Sequence, residues 1–106
     1  MAKYLAIASY TADGLRELAA HGASARIEAS KKLVAEAGGS IESFYYAFGS
    51  DDAFIVCDLP DSVSAAATAI AAGASGVVVT PMVPLLTAEE VDQAVSKNVR
   101  LAGLGQ

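Results

Sequence analysis

A single cysteine, a single histidine, three prolines and no tryptophan are spread over 106 residues. With Cys57 alone, no internal disulfide can form, so folding does not depend on an oxidising compartment. With His21 alone, one chain cannot assemble the histidine clusters that hold zinc or non-haem iron. Basic residues are also scarce: 7 Lys and Arg against 12 Asp and Glu leave a formal charge of −5. Affinity for a phosphate backbone comes from clustered Lys and Arg, which excludes nucleic acid as the main partner. The acidic balance reads as solubility rather than a binding code. There is no P-loop, no G-x-G-x-x-G, no G-x-S-x-G and no C-x-x-C. Gly14 and Gly49 stand alone as turn glycines. No cofactor or metal is expected.

Charge is missing altogether from Ser62 to Ala88, a length that invites a membrane span. Composition argues against one. Gly73, Ser75, Gly76, Thr80, Pro81 and Pro84 cut the stretch into a short helix, a turn and a strand, and lipid would leave that irregular backbone unsatisfied. The start, Met1-Ala2-Lys3-Tyr4, lacks the basic region, apolar run and cleavage site of a signal peptide. The expectation is a cytoplasmic protein without a membrane partner.

What is present suits one domain, residues 1–106, with ample apolar material at 54%. Residues 3–10 alternate as a strand. Thr11 or Asp13 caps a short turn reaching His21-Gly22, where the chain kinks. A longer helix over roughly residues 24–37 follows, with Ile27, Leu33, Val34 and Ala37 on one face, Glu28 and Lys32 in favourable i,i+4 order, and Gly38-Gly39 as the stop. Residues 40–48 form an aromatic strand, residues 49–52 a tight turn, and residues 53–59 its hairpin partner. Asp61 caps a second helix whose Val63, Ala66, Ala67, Ile70, Ala71 and Ala74 fit the helical template as its buried side. Val77 to Thr80 opens a fourth strand, with Pro81 and Pro84 suited to a sheet edge or bend. Thr87 with Glu90 makes a capping box for a short C-terminal helix, and Leu101 to Gln106 should fray.

The order β-α-β-β-α-β predicts an α+β, ferredoxin-like domain with a four-stranded antiparallel sheet and both main helices on one face. The second strand would put Phe44, Tyr46 and Phe48 on one side and Ile41 and Tyr45 on the other. The third would set Phe54 and Val56 against Ile55, Cys57 and Leu59. Both faces are thus apolar, whereas a half-solvated sheet alternates with polar residues. An uncovered apolar face of that size calls for a partner, and a second copy packed sheet to sheet is the simplest cover. The outward side of the second helix (Ser62, Ser64, Ala65, Thr68, Ala69, Ala72) is small and uncharged. It could join copies into a larger ring, or simply be an Ala-rich surface.

The segments SYTADG (9–14), AGGSIESFYYAFGSDD (37–52), DLPD (58–61) and SGVVVTPMVPLLTAEE (75–90) make the chain resemble the GYD-domain proteins. These are small bacterial proteins of ferredoxin-like, dimeric α+β-barrel type without an established activity. The resemblance runs from the first strand to the final capping box. In the motif that names the family, Tyr-Asp follows the glycine. Asp52 matches the Asp, and Asp51 stands where the tyrosine is expected. The resemblance implies the fold and a homo-oligomer, and says little about chemistry.

No residue set amounts to a catalytic signature. The candidates for a ligand site are Tyr10, His21, Arg26, Tyr45, Tyr46, Phe48 and Asp52. Tyr10, Tyr45 and Tyr46 lie on neighbouring strands and could line a cavity at the sheet face; aromatic packing between subunits is the rival reading. His21 could be a base in a pocket or a loop histidine. Arg26 could reach an anion or be solvated. Asp51 and Asp52 could be a carboxylate pair or ordinary turn residues bonded to backbone. Cys57, mid-strand, reads as a small buried hydrophobe. The leading expectation is an oligomer that binds a small apolar or aromatic molecule. Its rivals are a cofactor-free enzyme of the small monooxygenase or isomerase type, by fold analogy, and a purely structural interaction module.

Overall fold

The computed structural model describes residues 1–103; of the expected frayed end, Leu104 to Gln106 lie outside the described residues. In chain order the elements are β1 (Ala2–Tyr10), α1 (Ala12–His21), α2 (Ala23–Glu36), β2 (Ser40–Tyr46), β3 (Ala53–Leu59), α3 (Ser62–Ala74), β4 (Val78–Val79), β5 (Met82–Leu85) and α4 (Ala88–Ser96). The sheet is antiparallel and open, ordered β2-β3-β1 with β4 and β5 both on the far side of β1. This α+β arrangement is compatible with the ferredoxin-like expectation. No described helix is long and apolar enough to cross a membrane.

β4 and β5 behave as one edge strand. Tyr10 faces Val78 and Ser9 faces Val79, while Ala6 faces Met82 and Leu5 faces Val83, so the register continues unchanged across the gap. Pro81 makes the gap, because it has no N–H to give the ladder; its carbonyl still accepts from the Ile7 N–H at 3.0 Å. The edge position expected for the two prolines is where they sit.

Thr11 ends β1 and starts α1. Its hydroxyl accepts from the Gly14 N–H at 3.1 Å, satisfying one free donor of the first helical turn. The same hydroxyl donates to the Gly76 carbonyl at 2.7 Å. The cap extends α1 to a full ten-residue helix, where the sequence suggested only a short turn. Gly22, with φ at 87°, separates α1 from α2. On α2 the ion pair forms between Glu28 and Lys31 at 3.3 Å, one position short of the expected Lys32.

The helix-covered face is Tyr4, Ala6 and Ala8 of β1 with Ala53, Ile55, Cys57 and Leu59 of β3, all buried. β2 departs from the expected alternation. Its register slips between Ile41 and Ser43, so Glu42 bulges out. Ile41 therefore joins Phe44 and Tyr46 on the covered side, opposite Cys57, rather than sharing a side with Tyr45. The strand also ends at Tyr46, two residues early. Beyond it Phe48 adopts φ of 54° and stacks on the Tyr46 ring, centroids 5.7 Å apart.

α3 is rotated from its expected setting. It buries Ala65, Thr68 and Ala72 and exposes Val63 at 76% and Ile70 at 71%. With no charge anywhere on the helix, two different faces fit the i, i+3, i+4 template, and periodicity cannot choose between them. Packing chooses the smaller side chains, which let the helix lie close over an alanine-lined sheet. Asp61 caps it as expected, accepting from the Ser64 N–H at 2.9 Å and the Ser64 hydroxyl at 2.8 Å.

The open face carries Leu5, Ile7, Phe54, Val56, Tyr45 and Val83, read from the pairing register. Charges gather at one end, where the Lys3 ammonium donates to Glu42 and Asp58, both at 2.9 Å. α4, with its capping box intact, stands clear of the body with all its residues exposed. The described chain consequently measures 59 × 28 × 22 Å, with a radius of gyration of 16.9 Å; a compact chain of this length has about 13 Å.

Gly14 is the tightest approach in the α1 packing: a Cβ there would lie 2.0 Å from the Val77 carbonyl oxygen. Gly14→Ala should lower stability by about 1–3 kcal/mol. Gly73→Ala on α3, whose methyl meets nothing within 4 Å, should raise it by up to about 1 kcal/mol. Parallel urea melts decide; a neutral Gly14→Ala would refute the close α1 contact.

Candidate functional site

Between the sheet and the two long helices lies a slot of about 480 Å³ of non-atom space counting its open mouth. Its enclosed part is a cavity of about 40 Å³. Its floor is Ala6 and Ala8 of β1, Ile55 and Cys57 of β3, and the edge-strand residues Val78, Thr80 and Met82; Ile41 closes the β2 side. Its roof is Arg26, Ser30, Leu33 and Val34 of α2 with Thr68 and Ala72 of α3. The room exists because two alanines occupy β1 positions where strand-forming residues are usually bulky. The helices rest on the larger side chains around them. The slot lies on the helix-covered face, opposite the open sheet face at which the sequence suggested a cavity.

Tyr10 stands at one end of the slot. Burial first, and the neighbouring Tyr46 phenol second, push its phenol up to about 12, while the Arg26 guanidinium close by pulls the other way. Burial likewise raises Tyr46, whose hydroxyl donates to the Ala23 carbonyl at 3.0 Å. That bond ties β2 to the first turn of α2 and so positions Arg26 one turn further on. Burial pushes the Cys57 thiol up as well, which keeps it a protonated wall residue; it is 1% exposed. Two polar hydroxyls of the roof are already committed: Ser30 donates to the Arg26 carbonyl at 3.0 Å and Thr68 to the Ser64 carbonyl at 2.9 Å.

Of the residues singled out in the sequence, Tyr10 and Arg26 line this slot, with Tyr46 against Tyr10. Tyr45 lies on the open sheet face, 72% exposed, and Phe48 lies outside the slot, 56% exposed. His21 borders a separate surface groove between α1 and α2, with Glu17, Leu18 and Ala25. Asp52 is occupied: its carboxylate accepts from the Tyr10 N–H at 2.8 Å, and its own N–H donates to the Ala8 carbonyl at 2.9 Å. It pins the β2–β3 turn to the end of β1. Asp51 accepts from the Ser9 hydroxyl at 3.3 Å, so the two carboxylates have different partners. Among the described residues no three His, Cys, Asp or Glu side chains converge on one metal position.

The GYD domain family matches the chain over residues 4–95, from β1 through most of α4. The chain belongs to the GYD domain family. No curated protein matches it, and no solved structure does. Within this GYD domain, the aspartate after the glycine turn, Asp52, is a backbone clamp for β1 rather than a slot residue. Among the slot residues that sequence reasoning missed are Thr80, Ser30, Thr68 and Met82. The Tyr-x-Ala-x-Ala-x-Tyr run of residues 4–10 was the one available signal for the cavity, small side chains bracketed by large ones on a single strand face.

Because folding holds the Tyr10 proton more tightly, its neutral phenol stabilises the fold below the ordinary tyrosine value of 10.0, and that contribution disappears as pH rises through about 12. Unfolding free energy should therefore drop over that interval, with a shallower drop in Tyr10→Phe. Denaturant titrations across alkaline pH test this; identical slopes in the two proteins would contradict the buried setting of Tyr10.

Proposed function

We propose that this GYD domain is a homodimeric binding protein that holds a small apolar or aromatic molecule in the slot beneath α2 and α3. The slot itself carries the reading: a mostly apolar cavity with a few converging polar groups is the usual form of a small-molecule site. The molecule it takes is narrow, since the deep part has room for only a few heavy atoms and any larger portion occupies the mouth. A cofactor-free enzyme would need a base in the same place. His21 faces another groove and Asp52 is held on the β1 backbone, so binding is favoured over turnover.

Two unpartnered apolar surfaces support the dimer. One is the middle of the open sheet face, around Leu5, Ile7, Phe54 and Val56. The other is the side of α4 bearing Val91 and Val95, 45% and 74% exposed. A nine-residue helix is marginal alone in water and owes its stability to packing. A second copy meeting the open face covers the first and brings a surface within reach of the second. The polar ends of the face, Lys3 with Glu42 and Asp58 at one and Ser9 with Asp51 at the other, form the rim. A ring built through α3 would use its outward Val63 and Ile70 rather than the small residues first suspected.

Light scattering after sizing chromatography should give twice the chain mass, and Ile7→Lys at the centre of the open face should give the single-chain mass with unchanged circular dichroism. A wild-type monomer at micromolar concentration refutes the dimer. In thermal-shift screens small aromatic compounds should raise the melting temperature, and Ala8→Val, which narrows the floor, should abolish the rise. A panel without any shift would refute the binding reading.

A further inference from the structure

Two polar atoms in the walls of the slot have no partner among the described residues: Arg26 Nε and Thr80 Oγ1 are each fully enclosed and make no hydrogen bond there. They come from opposite walls, Arg26 from the α2 roof and Thr80 from the edge strand just before Pro81, and both line the same slot. A guanidinium stays charged at any ordinary pH, and its N–H groups have no acceptor capacity to turn inward. Leaving such a donor buried and unpaired is destabilising, because the lost hydration is not replaced. The chain has 12 acidic side chains, and those that form ion pairs do so with Lys3, Arg16 and Lys31, not with Arg26. The neighbouring hydroxyls of Ser30 and Thr68 donate elsewhere. The walls of the slot therefore hold two unpartnered donors and a positive charge among mostly apolar neighbours.

We propose that the slot binds a small carboxylic acid as its anion, the carboxylate taken by the Nε edge of Arg26 and the Thr80 hydroxyl, with its short apolar body over Ala6 and Ala8. This rests on the slot being a ligand site and adds the chemical class of the ligand. The Nε–Nη edge of a guanidinium matches the two oxygens of a carboxylate, which gives a charge-assisted pair in a low-dielectric setting. The neutral phenol of Tyr10, beside Arg26, can donate a further bond without adding opposing charge. Selectivity arises inside the slot and not at a distance, because a protein of net charge −5 repels anions from afar. The enclosed volume of about 40 Å³ admits the carboxylate with only a few further heavy atoms, so most of a C3 or aryl body extends into the mouth.

The experiment compares butyrate and benzoate with their neutral counterparts butyramide and benzamide, by calorimetry and by amide chemical shifts of the full chain. The acids should bind at least about tenfold more tightly than the amides. Arg26→Gln and Thr80→Val should each erase most of that difference by weakening the acids several-fold more than the amides, which loss of a purely structural role would not do. If Arg26→Gln fails to fold, Thr80→Val alone carries the comparison. Equal binding of acids and amides would overturn the carboxylate assignment and leave the slot a ligand site. Acid selectivity that survives both variants would also overturn it. If none of the four binds and the two donors exchange with water only, the assignment and the slot reading both fall.

Discussion

The pairing of β1 on both of its edges is the constraint from which the rest of the structure follows. β3 bonds one side of it from Ala2 to Ala8, and the Pro81-interrupted edge strand bonds the other from Lys3 to Tyr10 in an unbroken register. Buried backbone donors and acceptors have to be paired, so a central strand with both edges satisfied can sit under two helices. Its covered side then dictates how near those helices come. Ala6 and Ala8 are small, Tyr4 and Tyr10 are large, and the helices rest on the large residues while a slot remains over the small ones. The end of the strand is fastened twice, by the Asp52 carboxylate on the Tyr10 N–H and by Thr11 on the Gly76 carbonyl.

The functional reading grows from that arrangement. Space appears where a strand places alanines beneath a helix, and among the described residues the polar atoms left without partners in its walls are those of Arg26 and Thr80. The hairpin aspartates and the tyrosine of the open face attract notice in the sequence because they carry reactive groups, but Asp52 is committed to the Tyr10 backbone, Asp51 to the Ser9 hydroxyl, and Tyr45 is turned away. Belonging to the GYD domain family accounts for the architecture over residues 4–95. The chemistry of the slot has to be argued from its own walls.

Several features were legible because they depend on near neighbours in the chain. Thr11, Asp61 and the Thr87–Glu90 box cap helices through atoms three residues away, and Gly22 breaks a helix by its own backbone preference. The hairpin strands β2 and β3 followed from aromatic and β-branched runs about a glycine turn. Three features were not legible. α3 has two apolar faces and no charge to separate them, so its rotation was set by the sheet it lies on. The bulge at Glu42 moved Ile41 across β2, and a bulge is a property of the pairing with β3, where Ile41 meets Cys57 and Ser43 meets Val56. The slot required knowing that Arg26, sixteen residues beyond Tyr10, returns over it, and that Thr80 arrives from the far end of the chain.

Local chemistry by itself therefore determined the element order, the helix caps, the fold class and the family, because caps, turns and alternation act over a few residues. Tertiary packing alone decided which side of α3 is buried, that Tyr45 and His21 stay outside the slot, and that Arg26 and Thr80 share it. Those outcomes depend on distances between segments remote in sequence, which no residue pattern encodes until the sheet has formed.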